Sequence, residues 1–273
     1  MTIHDIDREI DDAVRRILDG IEDRPHRVQR SIVELAEHVE GIKDQKWVPE
    51  ARRREISNMF VLVERVEQYE RDAAALFDAL EDEGFYVDEI QHLRAPGIAD
   101  ARAVPILLDY LGKTNNIWVK FDILQALASD WAYPEVIEPL FGQLDQVRDA
   151  GRDGERMREA ILGCIVNHPV APWRAEFVRI ATDRKYGLSR YIAVIALARS
   201  RSNRDELIPL MEGLLLDEQP LVAGRAARNL GNWKVKAAAA PLEERLKLEL
   251  AGSEPDSDLV SELRSALRKL TKQ

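Results

Sequence analysis

A short proline and leucine segment recurs along the last two thirds of the chain. Four such segments begin at Pro105, Pro139, Pro209 and Pro241, continue with Leu or Ile, and place a further Leu near the end of the turn. The intervals between these prolines are 34, 70 and 32 residues, so a repeat of about 35 residues occurs, with one copy lacking its proline. A period of this size is typical of stacked helical hairpins, and it constrains the fold more than any other feature.

A second pattern has the same period. Four apolar segments align without a gap, with starts 38, 32 and 33 residues apart: Val119–Leu127, Met157–Ile165, Ser189–Leu197 and Val222–Leu230. Each repeat is therefore predicted to form two helices. The second helix carries the proline in its first turn, where a missing backbone N–H costs nothing. The repeat of residues 157–184 lacks the proline, and a last helix over residues 258–270 closes the stack. Aromatic residues are only 6% of the chain, which also favours helices over sheets.

These segments resemble HEAT repeats of the phycobilin-lyase-like kind. The likeness covers about residues 101–270 and lies in a basic residue at the second position of the first helix and a small residue further along it: Lys120, Arg158 and Arg190, with Ala126, Cys164, Ala196 and Asn229. The resemblance implies an all-α fold, a right-handed α-solenoid of HEAT-like helical hairpins of the armadillo type with an N-terminal helical region. In the family such basic residues commonly tie one repeat to a polar turn of its neighbour. Phe177 departs from the pattern, because it stands near the expected proline.

The first third of the chain differs in charge. Residues 1–100 hold 14 Lys+Arg against 25 Asp+Glu, whereas the remainder holds 25 against 24. Three apolar stripes, over residues 3–21, 28–39 and 56–80, predict three helices, of which the last stops at Gly84. We therefore expect an acidic N-terminal helical region over residues 1–90 and the HEAT-like array over residues 91–273. The uneven charge indicates either two functional surfaces or simply solvated helix faces.

Recognisable catalytic and targeting signals are missing from the sequence. It contains no Walker loop, Rossmann glycine pattern, HExxH, CxxC or GxSxG motif, and its five histidines show no helical ligand spacing. Cys164 and His168 are four residues apart and could form a nucleophile pair, but Cys164 lies on the predicted packing face. With no signal peptide and no apolar run long enough to span a membrane, we expect a cytoplasmic protein without metal or cofactor, and the balance favours a non-enzyme. The resemblance to HEAT repeats implies a protein of the bacterial type.

The predicted stack also places four loops side by side. The turns that join the two helices of each repeat fall along one edge, which we call the turn edge: residues 129–134, 167–173, 199–204 and 231–236. Three of these turns contain tryptophan and the other contains three arginines. The candidate binding residues are Trp131, Tyr133, Trp173, Arg199, Arg201, Arg204, Trp233, Lys234 and Lys236. Alternatively, each tryptophan covers a hairpin end, and the arginines are solvated or cap helix C-termini.

Three functions are compatible with this pattern. Residues 174–236 hold 12 Lys+Arg against 7 Asp+Glu, which favours a protein-binding scaffold whose partner is acidic. The alternative is a nucleic-acid-binding protein resembling HEAT-like alkylpurine DNA glycosylases, with Trp131, Trp173, Trp233 and Asp130 as the suspected residues. The net charge of −10 argues against broad phosphate binding. The name of the repeat family alone suggests a third role, on a tetrapyrrole-bearing protein.

Overall fold

Every regular element of the computed structural model is helical within the residues it describes, which are 11–12, 14–16, 30–43, 48–147, 151–199 and 204–271. The predicted all-α class is thus confirmed. The α-helices are α1 (Arg30–Lys43), α2 (Glu50–Asp82), α3 (Ala103–Lys113), α4 (Ile117–Leu127), α5 (Ile137–Gln146), α6 (Arg152–Val166), α7 (Arg174–Thr182), α8 (Arg190–Arg199), α9 (Arg204–Leu214), α10 (Pro220–Asn232), α11 (Ala239–Ala251) and α12 (Ser257–Thr271). Short 3-10 segments cover Ile90–Arg94, Asp130–Ala132, Ala171–Trp173, Arg184–Ser189 and Lys236–Ala238. The first predicted stripe, residues 3–21, lies largely outside the described residues.

The chain divides into two compact units, residues 1–126 and 127–273. The predicted boundary near residue 90 stays a prediction. Among the described residues, no helix is both long and apolar enough to cross a bilayer.

Buried polar contacts join three elements of the first unit. The hydroxyl of Tyr69 in α2 donates to Oδ2 of Asp122 in α4 at 2.6 Å, and Gln91 donates to Oδ1 of the same carboxylate at 3.1 Å. Burial and the bond to Asp122 raise the pKa of Tyr69. Helix α2 ends just before Gly84, as predicted, because this glycine takes a φ of +87° that ends the helical path.

In the second unit, the first helices of successive repeats are neighbours. Helix α8 packs against α6 and α10, and α10 packs against α12. Side chains of one repeat reach a carbonyl of the preceding first helix: His168 to Leu127 at 2.9 Å, Arg199 to Val166 at 2.6 Å and Asn229 to Val194 at 3.1 Å. These partners lie 41, 33 and 35 residues apart, so the contacts follow the period of the sequence.

The second helices differ in how they begin. Pro105, Pro139 and Pro241 lie in the first turns of α3, α5 and α11, as predicted. The prediction is wrong for Pro209, because α9 begins at Arg204 and the proline lies inside the helix. In the repeat without a proline, Phe177 of α7 is only 1% exposed and fills the core between helices.

Candidate functional site

Two of the predicted turns meet through an aromatic pair. Trp131 lies half-buried in the 3-10 segment Asp130–Ala132, and Tyr133 follows it, also half-buried. The ring of Tyr133 stacks on the ring of His168, with centroids 5.8 Å apart and planes 22° apart. The turns at residues 129–134 and 167–173 therefore lie side by side on the predicted turn edge.

Trp173 is part of the packing at the end of its hairpin. Its ring centroid is 5.9 Å from that of Phe141, which lies 5.8 Å from the ring of Phe177. The indole Nε1 is buried and has no hydrogen-bond partner among the described residues. Trp173 is half-buried rather than free in solvent. This geometry agrees with the alternative in which a tryptophan covers the hairpin end.

The predicted arginines have different environments. Arg199 is exposed, yet its guanidinium donates to the carbonyl of Val166 at 2.6 Å and so caps the end of α6. Arg204 is exposed at the start of α9 and forms no ion pair with any described residue. Arg201 lies outside the described residues. Just beyond the second and third turns, Arg174 of α7 pairs with Glu206 of α9 at 2.7 Å.

The fourth turn carries the remaining predicted residues. Trp233 is half-buried, whereas Lys234 and Lys236 are exposed and have no ionic partner among the described residues. Lys234 takes a positive φ of 55°, which turns the chain out of α10. The turn does not bond to Arg199 or Arg204 in the described part of the chain. Among the described residues, a direct contact thus joins the first two turns, Arg199 of the third turn reaches the end of α6, and the fourth turn bonds to none of the other three.

Cys164 and His168 do not form a reactive pair. Burial raises the pKa of the Cys164 thiol to about 12, so the thiolate is scarce near neutral pH. The imidazole of His168 points elsewhere, because its Nε2–H donates to the carbonyl of Leu127 at 2.9 Å. No group of three or more His, Cys, Asp and Glu side chains within the described ranges could hold a metal ion.

Two of the three basic residues of the repeat pattern, Arg158 and Arg190, have structural partners. Arg190 is 1% exposed and forms a bidentate pair with Asp217, with distances of 2.6 and 2.8 Å. Asp217 lies in the turn between α9 and α10, so this arginine ties its repeat to the polar turn that follows, as the resemblance implied. Arg158 pairs with Glu155 at 3.0 Å. We therefore assign Arg158 and Arg190 to the fold and not to a binding site.

One acid, one phenol and one guanidinium form a closed network, which we call the closed trio: Asp145, Tyr186 and Arg179. The hydroxyl of Tyr186 donates to Asp145, and Arg179 donates to both, reaching the Asp145 carboxylate at 3.2 and 3.3 Å. Burial alone would raise the pKa of Asp145, but the hydrogen bonds from Tyr186, Arg179 and Lys185 hold it below its usual range. Each of the three groups thus has its partners within the protein.

A second set of three side chains also contains a carboxylate, a phenol and a guanidinium, but these groups do not bond to one another. We call this set the open row: Glu159 of α6, Tyr191 of α8 and Arg225 of α10. All three side chains are half-buried on three consecutive first helices. None of them forms a hydrogen bond or an ion pair with another residue that the structure describes, and Nε of Arg225 is buried without a partner.

The members of the open row nevertheless affect one another electrostatically. Burial and the negative charge of Glu159 raise the pKa of Tyr191, and the positive charge of Arg225 partly offsets them. Burial and the neighbouring Glu155 raise the pKa of Glu159. Sequence reasoning missed the open row. The signal it offered was a polar residue directly after the basic one in two aligned segments, at Glu159 and Tyr191.

Comparison with family models, with curated proteins and with solved structures finds no match for the chain.

Proposed function

We propose that the repeat region of residues 91–273 is an α-solenoid of HEAT-like hairpins, right-handed as in that family, and that it serves as a non-enzymatic protein-binding scaffold. The carbonyl contacts of His168, Arg199 and Asn229 support the stacking, because they recur at 41, 33 and 35 residues. Stacked hairpins give an extended surface to which a peptide or a protein can bind.

The observation that carries the binding proposal is a set of exposed cations on the turn edge. Arg204, Lys234 and Lys236 have no ionic partner among the described residues, whereas Arg174 is paired and Arg199 caps a helix. Exposed charges of one sign attract a partner of the opposite sign and speed its association. The partner that fits is therefore a protein with an acidic surface or segment.

The experiment compares two triple charge reversals in the full-length protein. The test variant carries Arg204→Glu, Lys234→Glu and Lys236→Glu, and the control carries Arg152→Glu, Lys247→Glu and Arg264→Glu. The control residues are also exposed and unpaired within the described ranges, so both variants change net charge equally. A partner captured from extract by the native protein is identified and purified, and its association with each variant is then measured.

We expect the test variant to lower the association rate constant about tenfold or more, with loss of its salt dependence, while the control behaves as the native protein. Equal association with both variants would contradict the proposed site. If nuclease treatment abolishes capture of the partner and a DNA duplex shows a salt-dependent gel shift, the nucleic-acid alternative is favoured instead.

A further inference from the structure

The open row leaves three half-buried side chains without partners among the described residues, and Nε of Arg225 is fully buried. Removing a carboxylate, a phenol or a guanidinium from water is costly unless another group replaces the lost hydrogen bonds. The closed trio shows that this protein satisfies the same three groups elsewhere. Glu159, Tyr191 and Arg225 therefore have binding capacity that the described residues do not use.

The chemistry of this surface changes in a fixed order from α6 to α10. The α6 side is acidic, because Glu155 lies beside Glu159 and raises its pKa. The α8 part is aromatic and aliphatic, since Tyr191 is followed one turn later by the half-buried Ile195. The α10 side is basic through Arg225. A molecule bound across the three helices would thus meet an acid, an apolar patch and a base in turn.

The spacing of the helices sets the size of the bound molecule. Packed helices lie about 8–10 Å apart, so α6 and α10 are separated by about 16–20 Å. A segment in the extended polyproline II conformation rises about 3.1 Å per residue with about three residues per turn, so side chains three residues apart share a face, and it covers that distance in about five or six residues.

We propose that the open row binds an extended segment of a partner protein that presents a basic, an apolar and an acidic side chain in that order. The basic side chain pairs with Glu159, the apolar one packs on Tyr191 and Ile195, and the acidic one pairs with Arg225. This proposal rests on the protein-binding function and names the chemistry of one partner segment.

Gly163 offers a way to block the surface without disturbing the core. It lies one turn after Glu159 on α6, and a Cβ at this position would have no other atom within 4 Å. A larger side chain therefore extends into the space above the open row. Gly213 of α9 is a matched control, because a Cβ there also meets nothing within 4 Å.

The first measurement uses a fluorescein-labelled peptide in which two serines separate lysine from leucine and two more separate leucine from glutamate. Its control contains the same residues with lysine and glutamate adjacent. Fluorescence anisotropy with the full-length protein gives the two affinities. We expect the spaced peptide to bind more tightly, because only its charges can reach Glu159 and Arg225 together. Equal affinities, or no binding of the spaced peptide, overturn the proposal.

The second measurement removes one contact at a time. Glu159→Gln and Arg225→Gln should each weaken the spaced peptide about tenfold, the usual cost of losing a hydrogen bond to a charged group. Glu159→Lys should restore binding of a peptide whose lysine is replaced by glutamate. Gly163→Leu should block binding, and Gly213→Leu should not. Circular dichroism and thermal unfolding confirm that each variant is folded.

The outcomes separate this proposal from the general one. If the turn-edge variant loses its captured partner while Glu159→Gln and Arg225→Gln bind as the native protein does, the scaffold function stands and the open row is not its site. If a polyanion such as a single-stranded oligonucleotide loses affinity for Arg225→Gln but binds Glu159→Gln as tightly as the native protein, the open row is an anion site and the proposal is wrong. Loss of the spaced peptide in both open-row variants, with its recovery by the exchanged charges, supports it.

Discussion

The closed trio and the open row contain the same three chemical groups in two different states. Asp145, Tyr186 and Arg179 bond to one another, whereas Glu159, Tyr191 and Arg225 bond to no described residue. The reason lies in their positions. The closed trio comes from the ends of α5 and α7 and the 3-10 segment Arg184–Ser189, where side chains converge. The open row instead takes one residue from each of three helices, α6, α8 and α10.

This difference separates polar groups that hold the fold from those available to a ligand. A hydrogen bond inside the protein contributes modestly to stability, whereas a buried group left without one costs free energy. The closed trio should therefore be sensitive to any change that disturbs its geometry. The open row should tolerate substitution with little loss of stability, and its changes should appear in binding.

The largest effect that the comparison predicts is at two glycines. Gly187, next to Tyr186, has a φ of +57°, and a Cβ there would lie 1.9 Å from Oε1 of Glu155. Gly187→Ala should lower the free energy of unfolding by about 2–3 kcal/mol, because it adds backbone strain and displaces that carboxylate. Gly163→Ala, beside the open row, should raise the free energy of unfolding by about 0.5–1 kcal/mol. Alanine favours a helix more than glycine does, and no other atom lies within 4 Å of the position its Cβ would take.

Urea unfolding of both glycine variants measures these two free energies. Gly213→Ala serves as the control for Gly163→Ala, because both glycines are inside helices and meet no atom at the Cβ position. A destabilised Gly163→Ala variant would mean that the space above the open row is filled within the protein. The contrast between the two regions would then fail.

A smaller effect is expected at the two tyrosines. Tyr186→Phe removes a buried hydroxyl that bonds to both Asp145 and Arg179, and it should lower the free energy of unfolding by about 1–2 kcal/mol. Tyr191→Phe removes a hydroxyl that has no hydrogen bond to a described residue, and it should change the free energy of unfolding by less than about 0.5 kcal/mol. Thermal and urea unfolding of the pair would show the difference, and equal losses would mean that Tyr191 is as firmly bonded as Tyr186.

Much of the fold could be predicted because packing repeats leave a periodic record in the sequence. The aligned apolar segments lie in α4, α6, α8 and α10, and only the segment at Ser189 begins one residue before its helix. The position of Pro209 could not be predicted from the other prolines. A proline permits a helix start, but residues before it also extend α9. Arg190 was predictable from the resemblance, since a buried basic residue requires an acidic partner such as Asp217.

The candidate sites were harder to predict because they depend on which polar groups lack partners. Residue types alone indicated Trp173 and Arg199, yet one packs near Phe141 and the other caps α6. The stacking of Tyr133 on His168 joins turns that are far apart in the sequence. Glu159 and Arg225 look like ordinary surface charges in the sequence, and only the coordinates show that they are half-buried and unpaired.

The smallest predicted effect is a difference in pH dependence between the two acids. The pKa of Asp145 is lowered in the folded protein, so its contribution to stability is present above the usual aspartate pKa and is lost as the pH falls through the folded pKa.

Glu159 has the opposite sign. Its pKa is raised, so the folded state holds the proton more tightly, and stability falls as the pH rises from the usual glutamate pKa through the folded pKa. Asp145→Asn should therefore reduce the loss of stability in acid, and Glu159→Gln should remove a penalty that is present at neutral pH. Because both groups are partly exposed, each effect should be a few tenths of a kcal/mol, about the size for solvated charges. Urea unfolding of the native protein and of both variants, from acid to neutral pH, measures how each substitution changes the pH dependence of stability. Changes of the same sign would show that the two acids have similar surroundings.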